Sequence, residues 1–178
     1  MADDKKDPWM NWLALTTIVF AVAATLSTFK GGGHSTRSMI SQMQASDQWA
    51  FFQSKSTKEA MYRLEKENLE LQAKALPRNA DTAVVRQYQS AVAEAAKSLD
   101  KYEKEKTKIQ DSAKFLEGVR DEAQKHGKPF GMAVIFLQVA ILLSSVAGLL
   151  KKQYLYWLAL PTGAWGLVLF ANGFFLFL

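Results

Sequence analysis

Residues 130–178 read FGMAVIFLQVAILLSSVAGLL, then KKQ, then YLYWLALPTGAWGLVLFANGFFLFL, so three polar residues separate two apolar runs. Each run, residues 130–150 and residues 154–178, is long enough as an α-helix to cross a hydrocarbon core of ~30 Å. The link between them has room only for a turn. The sequence therefore predicts a tight transmembrane hairpin at the C-terminus.

A third apolar run lies near the N-terminus. Residues 9–29, WMNWLALTTIVFAVAATLSTF, carry no charged side chain and are long enough to span the same core. The run is longer than the apolar part of a usual signal peptide, and no convincing cleavage site follows it. We therefore expect three transmembrane helices in a lipid bilayer, preceded by a short polar tail at residues 1–8.

The formal net charge of +5 raises the question of nucleic acid as a partner. In the middle of the chain, however, lysines alternate with acidic residues, as in KYEKEKTK at residues 101–108. Such mixing is typical of a solvated helix surface, so no nucleic-acid partner is expected. The chain has no cysteine, which excludes disulfides and thiolate metal sites.

Residues 30–129 are predicted to form a long extramembrane antiparallel helical hairpin, the stalk of an all-α protein. Its second arm has apolar or small residues at alternating steps of three and four, the pattern of a coiled-coil seam, at Val85, Tyr88, Val92, Ala95, Leu99, Tyr102, Ile109, Ala113, Leu116 and Ala123. Lys106 and Arg120 break this pattern. The first arm has a weaker seam at Ile40, Met43, Ala50, Met61, Leu64 and Leu71, interrupted by Asp47, Ser54, Thr57 and Asn68.

A turn is predicted near residues 76–81, where Pro77 cannot continue a helix and Asn79 and Asp81 can cap the next one. The three glycines at residues 31–33 are expected to stop the first transmembrane helix. The sequence HGKP at residues 126–129 is expected to end the second arm before the next span. The heptad pattern also leaves open that an arm pairs with a neighbouring subunit instead of its sequence partner.

Topology is predicted from the basic residues of short loops. The lysines before the first span and in the last turn, namely Lys5, Lys6, Lys151 and Lys152, favour a cytoplasmic N-terminus and a periplasmic stalk in a bacterial inner membrane. The basic residues at the two ends of the stalk, namely Lys30, Arg37, Lys125 and Lys128, favour the opposite orientation.

Small residues recur within the predicted spans, at Ala140, Ser144 and Gly148 in the second and at Gly163 and Gly166 in the third. They allow helices to approach closely, either within one subunit or between subunits. Gln138 and Asn172 are polar groups at membrane depth, and neither is ionisable, which argues against active transport. A homo-oligomeric passive channel lined by these two residues is an alternative.

His34 and His126 would come together at the membrane end of an antiparallel hairpin. Two histidines without carboxylates at a recognised spacing do not make a metal site, so none is expected. The sequence has no Ser/His/Asp constellation, phosphate loop or HExxH motif. We therefore expect a protein without cofactor or enzymatic activity.

The stretch SDQWAFFQSKSTKEAMYRLEKE at residues 46–67 places Trp49, Phe51 and Phe52 around one helix. At least one of them should contact something beyond a single partner arm, and aromatic residues are frequent in interaction hot spots. The other interpretation is an aromatic plug inside the hairpin. The core DQWAFFQSKS, the first span and the paired C-terminal spans resemble a bacterial membrane family, domain of unknown function 4337. That resemblance implies an architecture and no activity.

Together these patterns predict a scaffold or accessory protein that self-associates or docks on another membrane complex. The expected contacts are the aromatic residues at 49, 51 and 52 and the small-residue faces of the spans. Two alternatives stand beside it: the passive channel, and an accessory subunit of a respiratory or other membrane enzyme complex.

Overall fold

A computed structural model describes residues 8–77 and 80–178, and these residues form three α-helices. Helix α1 is Pro8–Ala75, α2 is Thr82–Leu150 and α3 is Gln153–Phe175. The described parts of the chain contain no β-strand, which confirms the all-α prediction. Most of the predicted polar tail, at residues 1–7, and residues 78–79 of the predicted turn lie outside the described residues.

The chain divides into two compact units. The first, called the apolar unit, combines the chain up to Ile40 with Val119–Leu178, and the second, called the charged unit, is Ser41–Gly118. Helices α1 and α2 contribute to both units, and α3 belongs to the apolar unit alone.

The apolar unit is a bundle of the N-terminal part of α1, the C-terminal part of α2, and α3. Each of the three helices contains a segment long and apolar enough to cross a membrane, which is compatible with a multi-pass membrane protein. The bundle interior is built mainly from small side chains, while large ones such as Phe29, Leu142 and Leu149 lie on the outside. This distribution suits a bundle whose surroundings are as apolar as its core.

The glycines at residues 31–33 do not stop α1, so this prediction was wrong. Gly31 explains part of the difference, because an added Cβ there would lie 3.1 Å from Phe130 Cβ. In the same way, a Cβ on Gly127 would lie 3.4 Å from His34 Cβ. The contact at Gly127 is at the edge of ordinary contact distance, whereas Gly31 allows α1 and α2 to approach more closely, and this packing offsets the cost of about 1 kcal/mol that glycine imposes on a helix.

The predicted end of the second arm at residues 126–129 was also wrong, because α2 continues through Pro129. Proline in a helix interior costs about 3 kcal/mol. The next residue, Phe130, is fully buried, with its ring 5.0 Å from Phe174, 5.9 Å from His34 and 6.0 Å from Phe170. This aromatic packing holds the segment beside the proline in place.

In the charged unit, α1 and α2 pack against each other as an antiparallel hairpin. Contacts pair rising residue numbers on α1 with falling numbers on α2: Trp49 with Glu117, Glu59 with Lys106 and Tyr62 with Tyr102. The seam predicted on the second arm is confirmed, since every one of its positions is buried or half-buried. Pairing of the arms within one chain is therefore also confirmed.

The seam predicted on the first arm was wrong, because Ile40, Met43, Ala50, Met61, Leu64 and Leu71 are all exposed. The residues that face α2 include Ala45, Trp49, Phe52, Glu59, Tyr62 and Ala73. Most inward residues lie two positions from an outward one, as Ala45 does from Met43 and Glu59 from Met61, which is about 200° around a helix. Aromatic and charged residues of α2 pack against the inward face of α1, although the outward face of α1 is the more apolar.

The two turns are closed by local hydrogen bonds. Asp81 Oδ1 accepts from the Ala83 N–H at 2.9 Å, so Asp81 caps α2 as predicted. After α2, the Lys152 N–H donates to Ala147 O at 3.1 Å, and Lys151 adopts a left-handed conformation with φ of 50°. The tight link between α2 and α3 is thus confirmed.

Candidate functional site

The predicted aromatic cluster divides between two faces of α1. Trp49 is half-buried and donates from Nε1 to Glu117 Oε1 at 2.9 Å. Its ring meets the half-buried Phe52 edge-on, at 5.5 Å between centroids. Phe51 is 50% exposed on another side of the helix. Trp49 and Phe52 therefore form the plug between the arms, and Phe51 alone remains on the surface.

Two ion pairs join the arms beside this plug. Lys106 Nζ lies 2.5 Å from Glu59 Oε2, and Lys55 Nζ lies 2.6 Å from Glu105 Oε2. The hydrogen bond from Lys106 lowers the pKa of Glu59, against the opposing effect of burial. The hydrogen bond from Lys55 likewise lowers the pKa of Glu105. Both carboxylates are therefore held in their charged form.

The same lysines lie over aromatic rings. Lys106 Nζ is 5.2 Å from the centre of the Phe52 ring, and Lys55 Nζ is 5.4 Å from that of Tyr102. Tyr102 in turn stacks on Tyr62 at 5.5 Å. This mixed contact fixes the register of the hairpin, because each ion pair and ring pair forms at one alignment only.

The opposite face of α1 in the charged unit carries an exposed apolar stripe at heptad spacing. We call this the outer stripe and define it by Met43, Ala50, Met61, Leu64 and Leu71, with Asp47, Ser54, Thr57 and Asn68 at the intervening positions. Met43, Met61, Leu64 and Leu71 are between 61% and 64% exposed. None of the described residues of the charged unit buries them, so the stripe is available to a partner.

The small residues of the spans lie at contacts inside the apolar unit. Ala140 and Ser144 are fully buried, and Gly163 and Gly166 are buried as well. A Cβ on Gly163 would overlap the Phe20 ring, and one on Gly166 would lie 2.8 Å from Leu137 Cγ. These four positions are therefore not available to a second subunit.

Gly148 differs from these four positions. It is half-buried, and an added Cβ would lie 3.6 Å from Leu13 Cδ2, which is an ordinary contact distance. Gly148 thus borders α1 without being required by the packing.

The two polar residues expected at membrane depth have different surroundings. Asn172 is buried; its Oδ1 accepts from the Leu178 N–H at 2.9 Å and its carbonyl accepts from the Leu176 N–H at 2.8 Å. It closes the C-terminal end of α3. Gln138 is exposed, and its side chain has no hydrogen-bond partner among residues 8–77 and 80–178. Only Gln138 is therefore free to pair outside the chain.

His34 and His126 meet as expected for an antiparallel pair, with stacked rings 5.2 Å apart. His126 Nδ1 lies 2.8 Å from Gly173 O, and Nε2 lies 3.6 Å from Glu122 Oε1. Burial, followed by the charges of His126, Lys30 and Arg37, lowers the pKa of His34. In the part of the chain that the structure describes, no three potential ligands group around a metal position.

Comparison with models of known families identifies the family of this chain. The model of the family described as Domain of unknown function (DUF4337) matches residues 9–176. The chain belongs to this family. No curated protein and no solved structure gives a significant match. Membership in DUF4337 confirms the resemblance predicted from the sequence, and the match extends over nearly all of α1, α2 and α3.

Within this DUF4337 member, the inter-arm ion pairs were missed by the sequence analysis. The signal was present at Lys106, which interrupts the apolar seam of α2 and pairs there with Glu59. A lysine on a seam predicts a carboxylate on the facing helix, but the facing residue is fixed only by the alignment of the two arms.

Proposed function

We propose that this chain is a non-enzymatic membrane scaffold whose copies associate with one another through the outer stripe of α1. The observation that carries the proposal is the exposure of Met61, Leu64 and Leu71 at heptad spacing, on the face of α1 opposite to α2. Apolar positions at this spacing are typical of a coiled-coil contact.

The energetics favour a partner for this surface. Complete burial of a Met or Leu side chain stabilises a contact between two surfaces by about 1.5–3 kcal/mol. Met61 and Leu64 lie one step apart on the stripe, and Leu71 follows one heptad after Leu64. Two copies that align these residues would bury apolar surface from both chains.

A membrane fixes the relative direction of the copies. Chains inserted with the same topology present parallel α1 helices, so each stripe residue meets the same residue of the second copy. Asn68 then faces Asn68, and an asparagine pair at such a position can exchange hydrogen bonds and set the register. Asp47 would face Asp47, which opposes pairing there. We therefore place the contact at residues 54–71.

The exposed amide of Gln138 supports association independently. A hydrogen bond between polar side chains of two neighbouring membrane helices stabilises their association by about 0.6–2 kcal/mol. An amide contains both donor and acceptor, so the same residue of a second copy can supply both.

The alternatives make different use of these surfaces. A passive channel needs a polar lumen, but the Asn172 side chain is buried and its Oδ1 accepts from the Leu178 N–H, so of the two residues predicted to line a channel only Gln138 is exposed. An accessory subunit would cover the outer stripe with a different protein. The scaffold proposal requires the covering surface to be a second copy.

Single cysteines test the proposal directly, because the chain contains none. We expect Leu64→Cys and Leu71→Cys each to give a disulfide-linked dimer when native membranes are oxidised. Arg63→Cys is the matched control: this residue is also exposed on α1 but lies off the outer stripe. The readout is the fraction of dimer on a non-reducing gel.

The pattern across the three variants decides the result. Strong cross-linking at 64 and 71 with little at 63 supports the proposal. Equal cross-linking at all three positions indicates random collision, and a disulfide adduct to a foreign protein indicates an accessory subunit; either result contradicts the scaffold.

A further inference from the structure

The N-terminal part of α1 carries a basic surface without acidic residues. From residue 8 to residue 46 its charged side chains are Lys30 and Arg37, both exposed. They are seven positions apart and therefore share one face of the helix, with His34 between them. Among residues 8–77 and 80–178, neither has a carboxylate within ion-pairing distance. Within the described residues, their charges are thus uncompensated.

These residues line an open groove of about 640 Å³, which we call the basic groove. Its lining consists of Thr28, Phe29, Lys30, Gly32, Gly33, His34 and Arg37. Lys30 and Arg37 are both on this lining and no acidic side chain is, so the potential at the groove is positive. An anion would be attracted there.

Two glycines in the groove have no packing role inside the chain. An added Cβ on Gly32 or Gly33 would meet no atom within 4 Å. Glycine nevertheless costs a helix about 1 kcal/mol at each position relative to alanine. Gly33 lies on the same side of α1 as Lys30 and Arg37, so its missing side chain lets a ligand approach the helix surface between them. Gly32 follows Lys30 by two positions, about 200° around the helix, and borders the groove from the other side.

The position of the groove along the chain indicates the kind of anion. Lys30 directly follows the apolar run of residues 9–29, and its Nζ lies 5.9 Å from the centre of the Phe174 ring at the end of α3. If the apolar unit spans a membrane, this level corresponds to the lipid headgroups, where basic residues meet phosphate.

We infer that the basic groove binds the phosphate of an anionic phospholipid, held by Lys30 and Arg37. This inference rests on the proposed membrane location, and not on self-association. The lipid phosphate would receive charge-assisted hydrogen bonds from the ammonium and guanidinium groups, and Gly33 would leave room for the headgroup.

The test measures lipid retained by the full-length chain. The protein is titrated in detergent with phosphatidylglycerol or with phosphatidylcholine, and native mass spectrometry counts the bound lipids. About fivefold in affinity is expected for each basic residue near an anionic lipid. Lys30→Gln combined with Arg37→Gln should therefore lower the preference for phosphatidylglycerol by about 25-fold.

Two controls distinguish binding at the basic groove from a general effect of the net charge of the protein. Arg86→Gln combined with Lys97→Gln removes the same charge from exposed positions in the charged unit and should leave the preference unchanged. Gly33→Leu keeps the charge but fills the groove, and it should weaken phosphatidylglycerol binding while helical content is retained. An equal loss in the charged-unit control, or no loss in Gly33→Leu, overturns the inference.

Two further measurements identify the ligand and separate this inference from the membrane proposal. If free inorganic phosphate displaces phosphatidylglycerol at equal concentration, the site is for free phosphate and the lipid assignment is wrong. Flotation with vesicles of pure phosphatidylcholine tests insertion by itself. A chain that floats but shows no preference for phosphatidylglycerol overturns the inference alone, and a chain that fails to float overturns both.

Discussion

The apolar unit and the charged unit hold their helices together by different means. In the apolar unit, small residues such as Ala140, Gly163 and Gly166 bring the helices into close contact. In the charged unit, Glu59 with Lys106 and Tyr62 with Tyr102 join the arms. If the apolar unit spans a membrane as proposed, lipid gives no gain for burying leucine against leucine, and close fit is what holds the helices together. In the charged unit, aromatic stacking and an ion pair supply the contacts between the arms instead.

Of the substitutions that test this difference between the units, one at Gly163 should have the largest effect. Its Cβ would overlap the Phe20 ring, so Gly163→Val should destabilise the apolar unit by about 1–3 kcal/mol or more. The measurement is the midpoint of denaturant unfolding in detergent, followed by circular dichroism. Gly131→Val is the control, because an added Cβ there meets nothing within 4 Å. Equal losses in the two variants would contradict packing by close fit.

In the charged unit, Glu59→Gln should cost about 1 kcal/mol, because it leaves the half-buried Lys106 without its carboxylate. The expected loss is smaller than at Gly163, since water can still reach both groups. Asp100→Asn is the control: its pair with Lys104 is exposed and should contribute a few tenths of a kcal/mol at most. A double-mutant cycle with Lys106→Met measures the coupling, and a coupling near zero would show that the pair does not hold the arms.

Acid should weaken the charged unit by a smaller amount. The pKa of Glu59 is lowered by the hydrogen bond from Lys106, so folding favours the deprotonated carboxylate. The stability it contributes is present above the ordinary pKa of 4.5 and is lost as the pH falls through the lower folded value. Thermal melts between about pH 6 and pH 3 should show this decline, and Glu59→Gln should reduce it. An identical pH profile in the variant would exclude Glu59 as the cause.

The seam of α2 could be predicted from the sequence because its inward residues are mostly apolar or small, from Val85 to Ala123. The seam of α1 could not, because its inward residues include Trp49, Glu59 and Tyr62 while its outward face has the regular apolar pattern. Periodicity identifies the most apolar face of a helix, but that face pairs with the sequence neighbour only when the neighbour offers apolar partners.

The glycines illustrate a second limit. At residues 31–33 the sequence predicted a break, since glycine lowers helix propensity. Gly31 instead packs closely on Phe130, whose Cβ would lie 3.1 Å from an added Cβ, and this contact depends on the alignment of α1 with α2. Asp81 and Pro77 were predictable, because a helix cap and a helix stop act within a few residues of the chain.

Self-association through the outer stripe is the central claim, and the mass of the gently extracted protein tests it most directly. Native mass spectrometry of the wild-type chain should give a discrete multiple of the chain mass. Met61→Glu combined with Leu64→Glu should give the single chain, with helical content unchanged. A wild-type monomer, a fixed complex with a foreign protein, or an oligomer that survives both substitutions would contradict the claim.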